Sequence, residues 1–194
     1  MTPISLGIFA SANQSAAATS YESIATVSVG SGGAANVEFT SIPGTYTHLQ
    51  IRFLARDNRS GGAVTDNLRG QFNSDTGSNY TRHELWGDGS GTFANGTASQ
   101  TSAQCGGLSL ATSSSSANVF GVGVIDILDY SNTNKYKTVR CLGGTDNNGG
   151  GAAALSSGLW QSMSAITSIK LFGENGGTLN QYSHFALYGI KGAA

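Results

Sequence analysis

Proline, cysteine and charged residues are all scarce in this chain of 194 residues. Its only prolines are Pro3 and Pro43, so the sequence places almost no obstacle in the way of sheet formation. Charged residues make up 11% of the chain, which is less than half of the share of about 25% in an average globular domain. The net charge of −1 argues against nucleic acid as a partner, because phosphate binding requires many Lys and Arg side chains.

The two cysteines, Cys105 and Cys141, lie far apart and belong to no C-x-x-C motif or neighbouring His pair. A structural zinc site needs four ligands, so we predict neither a metal site nor a cofactor. We expect two reduced thiols that pack as small apolar side chains, with a disulfide as the alternative. Residues 1–10 lack the pattern of a signal peptide, and no run has the length of a membrane span. We therefore expect synthesis in a bacterial cytoplasm and no membrane partner.

Residues 1–19 differ from the rest of the chain. Four apolar residues, Ile4, Leu6, Ile8 and Phe9, fall within six positions, and the stretch SANQSAAATS follows them. An apolar cluster before a stretch without any core-forming pattern is typical of an arm that docks onto another surface, and a frayed terminus is the alternative. The sequence thus predicts an extended N-terminal arm at 1–19 that binds a partner, and a single folded domain at 20–194.

From Tyr21 onward, short apolar blocks alternate with turn-rich gaps. In HLQIRFLAR, Leu49, Ile51 and Phe53 fall on one face of a predicted strand, while Gln50 and Arg52 fall on the other. Ten more stretches are predicted strands: YESIATVSV, NVEFTSI, NLRGQFN, YTRHELWG, CGGLSLA, VFGVGVIDIL, KYKTVRCLG, AAALSSGLW, ITSIKLFG and YSHFALYGI. About eleven short strands predict an all-β protein, an antiparallel and jelly-roll-like β-sandwich.

The gaps between these blocks are rich in Gly, Ser, Asn and Asp, which favour turns. Residues 56–66, 87–101, 113–118 and 145–151 are therefore predicted loops. Only residues 161–165 show a pattern compatible with a helical turn.

No residue pattern predicts catalysis. His48, His83 and His184 all lie inside predicted strands, and the chain has neither a G-x-S-x-G nor an H-E-x-x-H motif. Asp126 and Asp129 are the closest candidates for the paired carboxylates of a glycosidase, but a spacing of i and i+3 puts them on opposite faces of a strand. We expect His48 to be a hydrogen-bonded histidine in a sheet, and we expect no enzyme. 

Calcium is the one ion for which the sequence offers candidate ligands. Asp57 and Asp66 bracket a Gly-rich loop, and residues 146–148 offer further oxygen ligands. Neither segment has the spacing of an EF-hand loop. Both are predicted to be solvated turn-forming residues.

Several aromatic residues end predicted strands next to Gly-rich loops. Trp86 and Tyr80 are candidates for stacking on a glycan or for packing in an interface. Trp160 lies in the apolar stretch AAALSSGLW and is predicted to belong to the core or to an interface.

Four stretches in order resemble a known group of proteins. They are LGIFASA, YESIATVSVGSGGAANVEFTSIPGTYTHLQIR, FNSDTGSNYTRHELWGDGS and ITSIKLFGENGGTLNQYSHFALYGIKG. These stretches are similar to small virion proteins of tailed phages, especially marine and cyanobacterial ones. In that group an I-P-x-x-Y-x-H-L-x-I segment precedes a buried strand, and the chain closes on Y-G-I-K. The resemblance covers most of the chain from Tyr21 onward.

The resemblance implies a jelly-roll-like sandwich that is usually trimeric and is displayed on a virion. We expect a capsid decoration (cement) protein, a homotrimer whose arm binds the major capsid protein or a neighbouring virion protein. A tail- or head-fibre module that binds a host surface glycan is the alternative. An enzyme that acts on cell-surface polysaccharide is the least supported of the three.

Overall fold

The computed structural model describes residues 20–192, which form twelve strands in two antiparallel sheets. The strands are β1 Tyr21–Ser28, β2 Val37–Phe39, β3 His48–Ala55, β4 Thr65–Phe72, β5 Tyr80–Gly87, β6 Thr92–Gln100, β7 Ala103–Ala111, β8 Gly121–Leu128, β9 Lys137–Asp146, β10 Gly151–Trp160, β11 Ile169–Gly173 and β12 His184–Ile190. The predicted all-β sandwich is confirmed. Among the described residues there is no helix that could cross a membrane.

The order of the strands follows a nested pairing. The large sheet has the order β1-β12-β3-β8-β9-β10-β5-β6, and the small sheet has the order β2-β11-β4-β7. Thus β1 pairs with β12, β2 with β11, β3 with β8, and β4 with β7. These four pairs are the eight strands of a jelly roll. The hairpins β5-β6 and β9-β10 widen the large sheet beyond the small one.

The core lies between the two sheets and is built by the predicted alternation. In β3, the side chains of Leu49, Ile51 and Phe53 are buried, whereas Arg52 is exposed. The ring of Phe53 stacks on Phe185 of the neighbouring strand β12, with 5.8 Å between the ring centroids. Burial of such rings contributes much of the stability of a sandwich core.

Both cysteines are buried and neither forms a disulfide, which confirms the prediction of packed thiols. Cys105 is 0% exposed and Cys141 is 1% exposed. Burial raises the pKa of Cys105 to about 12, and it raises the pKa of Cys141 as well. Both thiols are therefore protonated and unreactive in the folded protein.

Two local predictions are wrong. Residues 87–101 are not one loop, because β6 occupies Thr92–Gln100. Most of the side chains in β6 are exposed, so the strand has no apolar alternation by which the sequence could reveal it. Residues 161–165 form no helical turn but an irregular connection between β10 and β11.

Candidate binding surface

The outward side of the large sheet carries a row of exposed apolar side chains. Leu54, Val122, Leu142, Leu155 and Leu85 come from the consecutive strands β3, β8, β9, β10 and β5, and they are 41–65% exposed. Leu155 lies opposite both Leu142 and Leu85, and Leu54 lies opposite Val122. These five residues are called the outer apolar face below.

All residues of the outer apolar face except Leu54 line shallow, open grooves. A groove of about 990 Å³ contains Val122 and Leu142, and a second groove of about 530 Å³ contains Leu85 and Leu155. A third groove of about 280 Å³ shares Leu142 with the first and shares both Leu85 and Leu155 with the second. The three grooves therefore form one continuous depression across the sheet.

Residues with little or no side chain form much of the wall of this depression. Gly144 pairs with Val122 on one side and with Ala153 on the other, and Ala153 in turn pairs with Gly87. All three small residues line the largest groove. At Gly144 the chain itself fills the space of the missing side chain, because a Cβ atom there would come within 2.2 Å of the carbonyl oxygen of Ala152.

A polar network borders the outer apolar face on the side of β3 and β8. The amide of Gln50 donates to Asp126 at 2.8 Å, and its oxygen accepts hydrogen bonds from the hydroxyl of Tyr21 and the guanidinium of Arg52. Arg140 of β9 lies in register with Asp126. An apolar centre with a polar border is the usual anatomy of a protein interface.

The sequence did not single out this face, although one signal for it was present. In VFGVGVIDIL, both the inward set (Ile125 and Ile127) and the outward set (Val122 and Val124) are apolar. A strand with two apolar faces in a sheet that is covered on one side leaves one of those faces without a partner in its own chain.

Of the predicted site residues, Ile4, Leu6, Ile8 and Phe9 lie outside the described residues. Tyr80 is 0% exposed and is not a surface residue, so the prediction that it contacts a glycan or an interface is wrong. Its ring stacks on Trp160, and its hydroxyl donates to the carbonyl of Asp75 and accepts from the amide of Phe72. Trp160 is 2% exposed and belongs to the core, as predicted.

Trp86 is half-buried near the tip of the β5-β6 hairpin. Its ring stacks on Phe93 with 5.3 Å between the centroids, and Phe93 is 42% exposed. Trp86 pairs with Ala154, whose side chain is buried, so it belongs to the inward side of the sheet. Phe93 therefore covers one face of the indole, and Trp86 is not part of the outer apolar face.

Asp57 and Asp66 are not solvated turn residues, which corrects the prediction. Their exposed fractions are 0% and 1%, and their side chains interact with each other. Burial and the charge of Asp66 raise the pKa of Asp57 to about 7. Oδ2 of Asp57 has no hydrogen-bond partner, whereas Asp66 accepts from Asn175 at 2.5 Å and lies 3.4 Å from the guanidinium of Arg59.

His48, Asp126 and Asp129, which the sequence brought up as candidates for catalysis, each have a separate polar partner. Nδ1 of His48 accepts the amide of Asp129 at 3.0 Å, as expected for a hydrogen-bonded sheet histidine. Asp129 forms an ion pair with Lys135, whereas Asp126 accepts a hydrogen bond from Gln50 within the polar network. The described residues also contain no cluster of three or more His, Cys, Asp or Glu side chains that could hold a metal ion.

A second, polar cleft of about 450 Å³ lies among the loops at one end of the sandwich. It is lined by amide side chains, including Asn58, Asn118 and Gln181, and by the ring of Tyr182. Tyr182 is 72% exposed and has a φ of 73°, a backbone conformation that residues other than glycine rarely adopt. Strained exposed residues of this kind are common at binding sites.

Comparison with known proteins gives no relative from which a function could be transferred: no protein family model, curated protein or solved structure matches this chain.

Proposed function

We propose that this chain is a structural protein of a tailed-phage particle, a capsid decoration protein that stabilises the shell. The observation that carries the proposal is the outer apolar face. All five side chains are 41–65% exposed, and all except Leu54 line one continuous depression; contiguous exposed apolar residues of this kind mark interaction sites. A subunit of an assembly covers such a surface.

Two further features favour a viral particle over other assemblies. The nested pairing of the strands is that of jelly rolls, which are frequent among viral capsid proteins. The stretches that resemble phage virion proteins include IPGTYTHLQI and YGIK, and they form β3, β12 and the segments beside them. The fold alone does not define a function, so the proposal depends on the face and the resemblance together.

The proposed mechanism is mass action. The domain packs as a homotrimer, and residues 1–19 bind the major capsid protein or a neighbouring virion protein. Contacts that exist only in the assembled shell favour the assembled state over the dissociated one. In this proposal the protein resides in the virion and has no catalytic role. The candidate carboxylate Asp126 accepts a hydrogen bond from Gln50, and His48 accepts one from the amide of Asp129.

The experiment that tests this function is a measurement of position and copy number in purified particles. We expect hundreds of copies per particle, at regular positions on the capsid in an electron-microscopy map. A few copies at the tail, or absence from particles, would contradict the decoration role.

The alternative of a fibre module that binds a host glycan is favoured by one observation, the polar cleft beside Tyr182. Amide side chains and an exposed aromatic ring are suited to hydrogen bonding and stacking on a sugar. In this case, Tyr182→Ala would abolish binding of the purified protein to host cells or to their isolated polysaccharide. Tyr136→Ala is the matched control, since Tyr136 is 50% exposed and does not line the cleft.

A further inference from the structure

We infer that the polar cleft beside Tyr182 is a preformed binding site for a neutral saccharide. The inference rests on the glycan-binding role given above as the alternative function. It adds to that role the charge class of the ligand and the residues that contact it. The site is a property of the single domain, so it does not depend on where the protein lies on a particle.

Four separate segments of the chain build the cleft. They are residues 31–33 after β1, residues 56 and 58 after β3, residues 117–120 before β8 and residues 178–182 before β12. The volume of about 450 Å³ falls in the range of about 300–1,000 Å³ that is typical of sites for small ligands. Segments so distant in the sequence meet only in the folded domain, so the cleft is formed by the sandwich as a whole.

Arg56 ties two walls of the cleft together. Its guanidinium donates to the carbonyls of Ser116 and Val119 at 2.8 and 2.9 Å, and to the carbonyl of Ser115 at 3.2 Å. Its own backbone carbonyl accepts the amide of Asn180 from the opposite wall at 2.8 Å. One residue therefore fixes both walls before a ligand arrives, and a preformed site binds with a smaller ordering cost.

The cleft offers no free cation to an acidic ligand. Among residues 20–192, Arg56 is the only charged residue that lines it, and its guanidinium already donates to three carbonyls of the protein. Sites for carboxylates or phosphates usually direct the donors of Arg or Lys at the ligand. The rest of the polar lining consists of amides and hydroxyls, so the ligand that fits is uncharged.

The free polar groups of the cleft match the hydroxyls of a sugar. Within residues 20–192 the exposed side chains of Asn118 and Gln181 take part in no hydrogen bond. An amide side chain both donates and accepts, as a sugar hydroxyl does. The ring of Tyr182, which is 72% exposed, presents an apolar surface on which the C–H face of a sugar ring can stack. Hydroxyls around an apolar ring face define a neutral saccharide.

The test measures binding of the purified full chain to immobilised polysaccharides. Dextran, mannan, galactan and chitin oligosaccharides are the neutral probes, and alginate and polygalacturonate are the acidic ones. We expect binding to at least one neutral probe and to neither acidic probe. The affinity for the neutral probe should not change when salt is added, because salt screens only interactions between charges.

Two variants test the contacting residues. Tyr182→Ala should weaken binding of the neutral probe by about tenfold, because it removes the stacking surface. Gln181→Ala should weaken it by about two- to tenfold, the effect of one lost hydrogen bond. Both side chains are exposed, so the far-UV circular dichroism spectrum should not change. Tyr136→Ala is the matched control and should bind like the wild-type protein, since Tyr136 is 50% exposed and does not line the cleft.

Three results would overturn the inference. The first is no binding to any neutral probe. The second is binding to an acidic probe that Tyr182→Ala abolishes and that added salt weakens, in which case the glycan-binding role stands with a charged ligand. The third is binding of a neutral probe that both variants retain at wild-type strength, which would place the saccharide elsewhere on the protein. If Tyr182→Ala loses its β spectrum, unchanged binding by Gln181→Ala counts against the cleft.

Discussion

The ring of Tyr46 lies directly against the backbone of Gly189. A Cβ atom at position 189 would come within 2.3 Å of Cγ of the ring, a separation that real Cβ atoms do not adopt. Gly189 belongs to β12, and Tyr46 lies just before β3, its neighbour in the sheet. Only glycine allows the ring to cover the strand at this point.

This contact joins two of the stretches on which the proposed virion role is based. Tyr46 belongs to IPGTYTHLQI, and Gly189 belongs to YGIK. Lys191 of the second stretch lies 5.8 Å from the centroid of the Tyr46 ring, and both residues bind the carboxylate of Glu22 on β1. The two stretches are therefore one structural unit, in which β1, β3 and β12 are held together.

Gly189→Ala should destabilise the fold, because the clashing atoms of the ring lie close to its own backbone and cannot swing away cheaply. We expect a loss of about 1–3 kcal/mol in the free energy of unfolding, measured by urea denaturation. Gly30→Ala is the control, since a Cβ there would meet nothing within 4 Å. In the background of Tyr46→Ala the same substitution should cost much less, and an undiminished cost would contradict the contact as its cause.

Asp57 should make the protein less stable as the pH rises from about 4 to 7. Its pKa of about 7 in the folded protein lies above its ordinary value of 3.8, so the folded state holds a proton that the unfolded state has lost. The stabilisation is complete below pH 4 and disappears as the pH passes 7, with an upper limit of about 4 kcal/mol. Urea denaturation at a series of pH values measures this slope.

Asp57→Asn should flatten that slope and leave the variant more stable than the wild-type protein at pH 8, because an amide carries no charge to repel Asp66. Asp88→Asn is the control: Asp88 is exposed in a turn, and hydrogen bonds from Ser90 lower its pKa, so it acts only at more acidic pH. The opposite outcome is a variant Asp57→Asn that is less stable than the wild-type protein, with a difference that grows when calcium is added. This result would show that a cation, and not a proton, compensates the charges of Asp57 and Asp66.

The two thiols should not react with an aromatic disulfide reagent at pH 8 until the protein unfolds. Their exposed fractions are 0% for Cys105 and 1% for Cys141, and burial keeps both protonated. In denaturant, both should be titrated. Tyr182→Cys provides the positive control, since a thiol at that exposed position should react at once. Rapid reaction of a second thiol in this folded variant would contradict the packing of Cys105 and Cys141.

The sequence predicted the strands because most of them bury one face. Leu49, Ile51 and Phe53 alternate with polar residues, and the structure buries all three. β6 escaped prediction because an exposed strand at the edge of the large sheet buries almost nothing and has no apolar period to detect.

The candidate binding surface was harder to predict than the fold. Local pattern does not tell whether a polar residue near the end of a strand is solvated or covered. Asp57 follows β3 and Asp66 is the second residue of β4, and the distant segment from Gly173, the last residue of β11, to Gly177 covers them. Tyr80 failed for the same reason, because Phe72 and Trp160 enclose its ring from other strands. Such contacts depend on the assembled topology.

The last prediction concerns the arm, residues 1–19. If the arm anchors the protein to a particle, deletion of residues 2–12 should leave a soluble, folded β-domain that no longer joins particles, since the described domain begins at β1 with Tyr21. Ile4, Leu6, Ile8 and Phe9 together could bury a few hundred Å², worth several kcal/mol at roughly 25 cal/mol per Å² before ordering costs. Ordering a flexible arm offsets part of this free energy. In a trimer the three arms bind to one particle together, and their high effective concentration compensates for that cost.

Particle binding of the deletion variant is measured by co-sedimentation with particles that lack this protein, and circular dichroism verifies that it is folded. A matched variant keeps the length of the arm but replaces Ile4, Leu6, Ile8 and Phe9 with Ser. It should lose binding as completely as the deletion, because the apolar side chains and not the chain length supply the affinity. Binding of either variant at the wild-type level would place the anchor in the loops of the domain rather than in the arm.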